Sequence, residues 1–239
     1  MELRNKAAIV TGASAGIGLA FSRHLVGRGA IVYGLARTSS RLDEARVAMG
    51  ETFRPVVCDV SDEEHVSAAV ERVVNDAGRI DVLINNAGLG KYGRVDELSL
   101  EDWDIQMNTN LRGIFLCTRA VVPHMRRQNR ESGFGGHIIN VASIAGLLGN
   151  PTLSAYNATK FGVRGFSEAV MKEVREDGIK VSCIYPGSIA TNFSAISGGG
   201  GSPNPMTPDD IANTVIHLLE TSDNYLISEV VMRPLRPKG

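Results

Sequence analysis

The chain of 239 residues carries 25 Lys and Arg against 26 Asp and Glu, a formal net charge of −1. It has no basic surplus to neutralise a phosphate backbone, which excludes nucleic acid as a main partner. A composition of 43% hydrophobic and 21% charged residues rules out wholesale disorder, and no run of about 18 apolar residues is present to span a membrane as a helix.

These features predict a soluble, cytoplasmic protein without a membrane partner, folded as one domain over residues 1–239. Cys58, Cys117 and Cys183 are widely spaced and odd in number, which argues against a disulfide framework and fits a reducing compartment. The five histidines are scattered without HExxH or CxxC, so no metal site is expected.

Short apolar runs recur at 7–10 (AAIV), 30–35 (AIVYGL), 55–58 (PVVC), 82–85 (VLIN), 137–141 (HIINV), 181–185 (VSCIY) and 227–232 (ISEVVM). Continuous β-branched runs predict strands buried on both faces, as in a parallel sheet. Segments of helical length and period lie between them. One is expected to begin at Ser61, with Glu64 completing a capping box. A second should begin at Ser99, ahead of the single Trp103, and a third at Thr207, with Pro208 in the first turn and Asp210 near the positive helix end.

Strand and helix alternate almost throughout, so the expected fold class is α/β: a doubly wound three-layer sandwich around a parallel sheet of about seven strands, with right-handed crossovers. The rhythm breaks from Gly187 to Met206, a stretch holding GGGGS and two prolines. A loop this long within a compact domain is usually functional or mobile, and residues 187–207 are read as a lid over a substrate.

The first strand runs into Thr11-Gly12-Ala13-Ser14-Ala15-Gly16-Ile17-Gly18 and then a helical pattern. Glycines at 12, 16 and 18, with Ser14 and Ile17 between them, allow a tight turn, a close approach to a pyrophosphate and free amides facing the anion. This is the pattern of a Rossmann dinucleotide site. The same residues contain Gly12-Ala13-Ser14-Ala15-Gly16, a match to the GxSxG elbow of hydrolases; that elbow draws its oxyanion hole from an earlier strand and loop, and only eleven residues precede Gly12. About twenty residues further on, where a carboxylate would bind the ribose diol, the sequence reads Ala36-Arg37-Thr38. A guanidinium suits a 2′-phosphate, so Arg37, with Thr38 beside it, points to NADP(H) rather than NAD(H).

Tyr156 and Lys160 form a YxxxK pair whose spacing puts both on one helix face. A cation near a phenol favours the phenolate and makes the tyrosine a usable acid or base. Ser143 lies at the C-terminal end of the HIINVAS run, where ligands of open α/β sheets bind, and could polarise a carbonyl. Asn110, in MNTNLRG, could hold a water or a backbone carbonyl; the alternative is a solvent-exposed helical Asn.

Over essentially its whole length the sequence resembles the short-chain dehydrogenase/reductase family. The motifs are TGxxxGIG at Thr11–Gly18, Asp59-Val60, NNAG at Asn85–Gly88, Asn110, Ser143, the YxxxK pair, and Pro186-Gly187 with Thr191. The resemblance implies that Asp59 and Val60 flank the adenine, and that Asn86, Ala87 and Gly88 line the adenosine side. It also implies that the loop from Pro186 and Gly187 brings Ile189 and Thr191 to the nicotinamide carboxamide.

In that family Tyr156 would donate the proton, Ser143 would hold the carbonyl oxygen, and Lys160 would bind the nicotinamide ribose and depress the tyrosine pKa. Asn110 would support a water linking Lys160 to solvent. The segments GLGKYGRVDELSLEDWDIQMNTNLRG and SEVVMRP are similar to sepiapterin-reductase-like and 3-ketoacyl-reductase-like carbonyl reductases. The expected substrate is therefore a small-molecule carbonyl, its pocket shaped by Ile144–Leu148, Lys91, Tyr92 and the loop residues Ile189, Phe193 and Ile196. A homodimer or homotetramer is expected through the helices starting near Trp103 and Ala155, with Val163 and Phe166 on the shared face. An NAD-dependent alcohol dehydrogenase and a non-catalytic NADP(H)-binding regulator stand as alternatives.

Overall fold

The protein is seen in a computed structural model that describes residues 1–191 and 203–237. Seven strands form one parallel sheet: β1 (Ala7–Thr11), β2 (Ile31–Ala36), β3 (Phe53–Val57), β4 (Val82–Asn85), β5 (Gly136–Val141), β6 (Ile179–Pro186) and β7 (Glu229–Met232). Their order is β3-β2-β1-β4-β5-β6-β7. Each coincides with one of the apolar runs to within a few residues at its ends.

Helices cover both faces: α1 (Gly16–Gly27), α2 (Ser39–Met49), α3 (Glu63–Ala77), α4 (Leu100–Met107), α5 (Gly113–Ser132), α6 (Ser154–Val174) and α7 (Pro208–Glu220). Alternate strand residues point to opposite faces, and each face has its own core. Val10, Ile84, Ile139 and Ile184 pack with Phe21 and Leu25 of α1 and with Ile211, Val215 and Leu219 of α7. On the other face Ile9, Leu83, Ile138 and Val181 pack with α3, α5 and α6 through Val70, Val121 and Val170. Every residue of β1 and β6 is buried, Lys180 and Ser182 of β6 included. The edge strands differ: Val57 at the end of β3 and Val231 in β7 are exposed, because a strand with a neighbour on one side only is also less covered by helices.

The order reverses between β1 and β4, which opens a crevice at the C-terminal ends of these strands. A continuous helical run borders it: α4 passes through a π-helical turn at Asn108–Arg112 into α5. The Gly113 amide donates to the Asn108 carbonyl, five residues back, which closes the wider turn. Met107, Leu111, Phe115, Gly162 and Phe166 line an apolar groove between this run and α6.

Three local expectations meet the structure here. Ser99 caps α4, and Thr207 and Asp210 cap each other's backbone at the start of α7, as the sequence predicts. The cap of α3 is Asp62 instead of Ser61: its carboxylate accepts from the Glu64 and His65 amides at 2.9 and 3.1 Å. The Ser61 hydroxyl turns back to Asp59 Oδ1 at 2.7 Å. A carboxylate at the positive end of a helix outcompetes a neighbouring hydroxyl. Val163 is also corrected; it is fully buried against Tyr185, Cys183, Ala142 and Ile114 and belongs to the core, whereas Phe166 is half-buried and meets Phe115 edge-on.

All three cysteines are free and buried. Among the described residues no helix is long and apolar enough to cross a membrane.

Candidate active site

The glycine turn links β1 to α1, and its geometry requires glycine at two positions. Gly12 has φ +67°, and a Cβ there would lie 2.9 Å from Asn86 Nδ2. A Cβ on Gly18 would stand 2.2 Å from the Gly12 carbonyl oxygen. The turn is fastened to the end of β4: the Thr11 hydroxyl accepts from the Asn86 and Ala87 amides, both at 2.9 Å, and Asn86 Nδ2 donates to the Thr11 carbonyl at 2.9 Å. The first turn of α1 contains no acidic residue, and its N-cap, Ala15, offers no side-chain acceptor. Its leading amides therefore keep their donor capacity for an anion, with Ser14 and Ile17 half-buried beside them.

Four residues from three elements converge beyond the ends of β4, β5 and β6. Ser143, just past β5, is extended; its hydroxyl accepts from the Ala145 amide at 3.2 Å and donates to the Pro186 carbonyl at 3.4 Å. The Tyr156 side chain on α6 is hydrogen-bonded to Ser143. One turn along, the Lys160 ammonium lies 5.6 Å from the Tyr156 ring centroid and donates to the Val141 carbonyl at 2.9 Å. Asn110 sits inside the π-helical turn and is fully buried. Its Oδ1 accepts from the Leu89 amide and its Nδ2 donates to the Leu89 carbonyl. The alternative of a solvent-exposed Asn110 is thus overturned. A Cβ on Gly88 would fall 3.2 Å from Asn110 Oδ1 and 3.7 Å from Lys160 Nζ, so the NNAG loop abuts both.

Burial is the first influence on the titration of both α6 residues. It pushes the Tyr156 phenol above its ordinary range; the Ser143 hydrogen bond opposes this and Tyr92 adds to it. It pulls the Lys160 ammonium down to about 8, against the influence of Cys183. Burial thus outweighs any acidifying influence of Lys160 on the phenol. The ammonium directs a hydrogen bond to Val141, and the desolvated phenol favours its neutral form.

A cleft of about 580 Å³ opens beside the ends of β2 and β3. Arg37, exposed at the end of β2, lines it with Asp59 and Ser61. Thr38 is the N-cap of α2, and Val60 is buried against Gly113. Burial alone would raise the Asp59 carboxyl, but hydrogen bonds from the Ser61 hydroxyl and amide, together with Arg37, hold it below its usual value.

After β6, the Gly187 amide donates to the Met232 carbonyl at 2.8 Å, and Ile189 bridges Met206. This carries Thr191 over the glycine turn, where its Cγ2 would be 3.5 Å from a Cβ on Gly16. Phe193 and Ile196 lie outside the described residues, as does most of the 187–207 stretch. Lys91 pairs with Asp102 at 3.4 Å, and Ile144 is half-buried at the crevice.

Three residues to which the sequence assigns no role of their own hold the site in shape. Thr11 fastens the glycine turn. Thr159 connects α6 to Asn110 Nδ2 at 3.2 Å. Asn157 donates to the Ala145 and Leu148 carbonyls and accepts from the Asn150 amide, which fixes the loop after Ser143. The available signal was their chemistry: short polar side chains within the apolar faces of a strand and a helix must find buried partners.

Comparison with known proteins agrees with this geometry. The profile of the short chain dehydrogenase family matches residues 6–197. An uncharacterized oxidoreductase of Staphylococcus saprophyticus is 33% identical over 239 residues, covering 98% of this chain and 100% of that protein. Among solved structures, the 3-ketoacyl-(acyl-carrier-protein) reductase of Brucella melitensis complexed with NADH superposes with a TM-score of 0.89 at 28% identity, covering 96% of this chain and 97% of that one. The closed form of a serine dehydrogenase complexed with NADP+ gives 0.90 at 30% identity, covering 96% and 95%.

Proposed function

Because this chain belongs to the short-chain dehydrogenase/reductase family, we propose that it is an NADPH-dependent oxidoreductase that reduces a ketone to an alcohol. The observation that carries this reading is the convergence of Ser143, Tyr156 and Lys160 at the C-terminal ends of the strands, beside an α1 N-terminus with no acidic or capping side chain of its own.

The residues fit a dinucleotide. The α1 amides offer donors to a pyrophosphate, and exposed Arg37 offers a guanidinium to a 2′-phosphate. Asp59, Val60, Ala87 and Gly88 would border the adenosine, with Asn86 holding the glycine turn. Pro186, Gly187, Ile189 and Thr191 would border the nicotinamide. When bound, the reduced nicotinamide supplies a hydride.

The chain's own residues do the rest. Ser143 and Tyr156 offer hydroxyls to one carbonyl oxygen, which fixes the reacting carbon. Burial keeps the Tyr156 phenol protonated, the form a general acid needs, and its proton passes to the oxygen as the alcohol forms. The Lys160 ammonium nearby favours the phenolate that remains. Asn110 positions the NNAG loop against Lys160 through Leu89. The groove at Met107, Leu111, Phe115 and Phe166 would be covered in a homodimer or homotetramer, which removes exposed aromatic surface from water.

The test is loss of NADPH absorbance with a panel of ketones and diketones, for the native protein and for Tyr156→Phe. Turnover that falls by about 10²–10⁴ in the variant while NADPH binding persists supports the reading. Absence of turnover with every carbonyl, or a fully active variant, overturns it.

A further inference from the structure

The cleft at the ends of β2 and β3 has a second wall that the dinucleotide reading leaves unused. Glu101, Asp104, Ile105 and Asn108 line it from α4 and the first residue of the π-helical turn. Their spacing is i, i+3, i+4 and i+7, so one stripe of the helix faces the cavity. Glu101 and Asp104 are exposed, and neither forms an ion pair among the described residues, whereas Asp102 between them turns away to Lys91. One guanidinium, Arg37, therefore shares this cleft with three carboxylates: Asp59 beside it, and Glu101 and Asp104 on the α4 wall. Arg37 is likewise without an ion pair within 4 Å among the described residues, although its charge helps hold the Asp59 carboxyl below its usual value.

We propose that Glu101 and Asp104 are specificity-determining residues that oppose Arg37, weakening the binding of 2′-phosphorylated nucleotides and leaving the protein able to use NADH as well as NADPH. The inference rests on the reading of this cleft as the adenosine end of a nucleotide site. Its physics is Coulombic. A 2′-phosphate carries nearly two negative charges, and two carboxylates lining the same cleft repel it, the more so at low salt. A ribose diol has no charge and is indifferent to them. The acidic wall thus offsets part of what Arg37 contributes, for one nucleotide and not the other.

The experiment measures dissociation constants for NADPH and NADH by nucleotide fluorescence, at low and high salt. The proteins are the native chain, Glu101→Gln, Asp104→Asn, the double variant and Arg37→Gln. All three residues are exposed, and a thermal melt checks that each variant is folded. The double variant should bind NADPH roughly tenfold more tightly at low salt, with NADH unchanged and the gain shrinking as salt rises. A gain shared equally by both nucleotides, or no gain for NADPH, overturns the proposal. Arg37→Gln reports on the underlying reading separately: it should weaken NADPH alone. If it leaves NADPH untouched, the 2′-phosphate does not lie at Arg37, whatever the acidic pair does. Competition by adenosine 2′,5′-bisphosphate against AMP gives the same comparison without the nicotinamide half.

Discussion

Asn110 satisfies both backbone groups of Leu89 with one side chain, its Oδ1 accepting from the amide and its Nδ2 donating to the carbonyl, each at 2.8 Å. The pairing works as an added rung of secondary structure between the π-helical turn and the NNAG loop. Asn110→Ala would strand both groups, and a lost partner for a buried polar group costs about 1–3 kcal/mol. The urea midpoint should fall accordingly. Asn110→Asp keeps the acceptor but sets a buried carboxylate oxygen against the Leu89 carbonyl, so at neutral pH it should fall at least as far as the alanine variant.

Gly18 tests the glycine turn with the sign of a stability change. Alanine within a helix ordinarily gains about 1 kcal/mol over glycine. Here the added Cβ would stand 2.2 Å from the Gly12 carbonyl oxygen, a backbone atom held by the Thr11–Asn86 fastening. Gly18→Ala should therefore lower the melting temperature, with nucleotide affinity falling at least tenfold. Gly27→Ala, in the same helix with open space around its Cβ position, should do neither.

The buried Lys160 ammonium makes stability depend on pH in an alkaline window. Its folded pKa, about 8, lies below the 10.5 of an ordinary lysine. Between these values the unfolded chain binds the proton and the folded chain releases it, so stability rises with pH across the window and is flat from this group below it. Urea midpoints of the native protein should climb from pH 8 toward 10 relative to those of Lys160→Met. Parallel profiles for the two proteins would contradict the burial of a titrating ammonium.

The groove beside Phe115 predicts a change of assembly. Phe115 and Phe166 meet at 6.5 Å between ring centroids, edge-on, with Phe115 43% exposed. Phe115→Asp would put a charge where the proposed second copy packs, at the cost of burying an unpaired carboxylate. Sedimentation should show the native protein as a dimer or tetramer and the variant as a smaller species with an unchanged far-UV spectrum.

The strands were legible because each is a short, predominantly apolar and β-branched run, and burial on both faces leaves little else that such a run can form. The helix starts at Ser99 and Thr207 were legible from capping chemistry. Ser61 misled because two adjacent residues, Ser61 and Asp62, each suit a cap, and the choice turns on which one reaches the free amides. The grouping of Tyr156 with Lys160 follows from helical spacing, and Ser143 from its place after β5. Thr11, Thr159 and Asn157 escaped because their partners lie in other elements, from the Asn110 side chain to the backbone of the loops after β4 and β5, and spacing cannot report those. The exposure of β7 escaped for a similar reason: its sequence is apolar, while its position at the sheet edge is a property of topology. The influence of burial on the Tyr156 phenol required knowing that both α6 residues are desolvated together.

The π-helical turn at Asn108–Arg112 has a consequence for the chain's history and for its engineering. Such a turn holds one more residue than an ordinary α-turn of equal rise, so it reads as a single-residue insertion whose benefit is angular. Removing one residue there would let the backbone relax into an uninterrupted α-helix and rotate everything upstream by about 100° relative to α5. Helix content would be preserved while Asn110 swung off Leu89 and the acidic stripe of α4 left its cleft. A length polymorphism of one codon would thus disable the crevice while leaving the sheet beneath it whole.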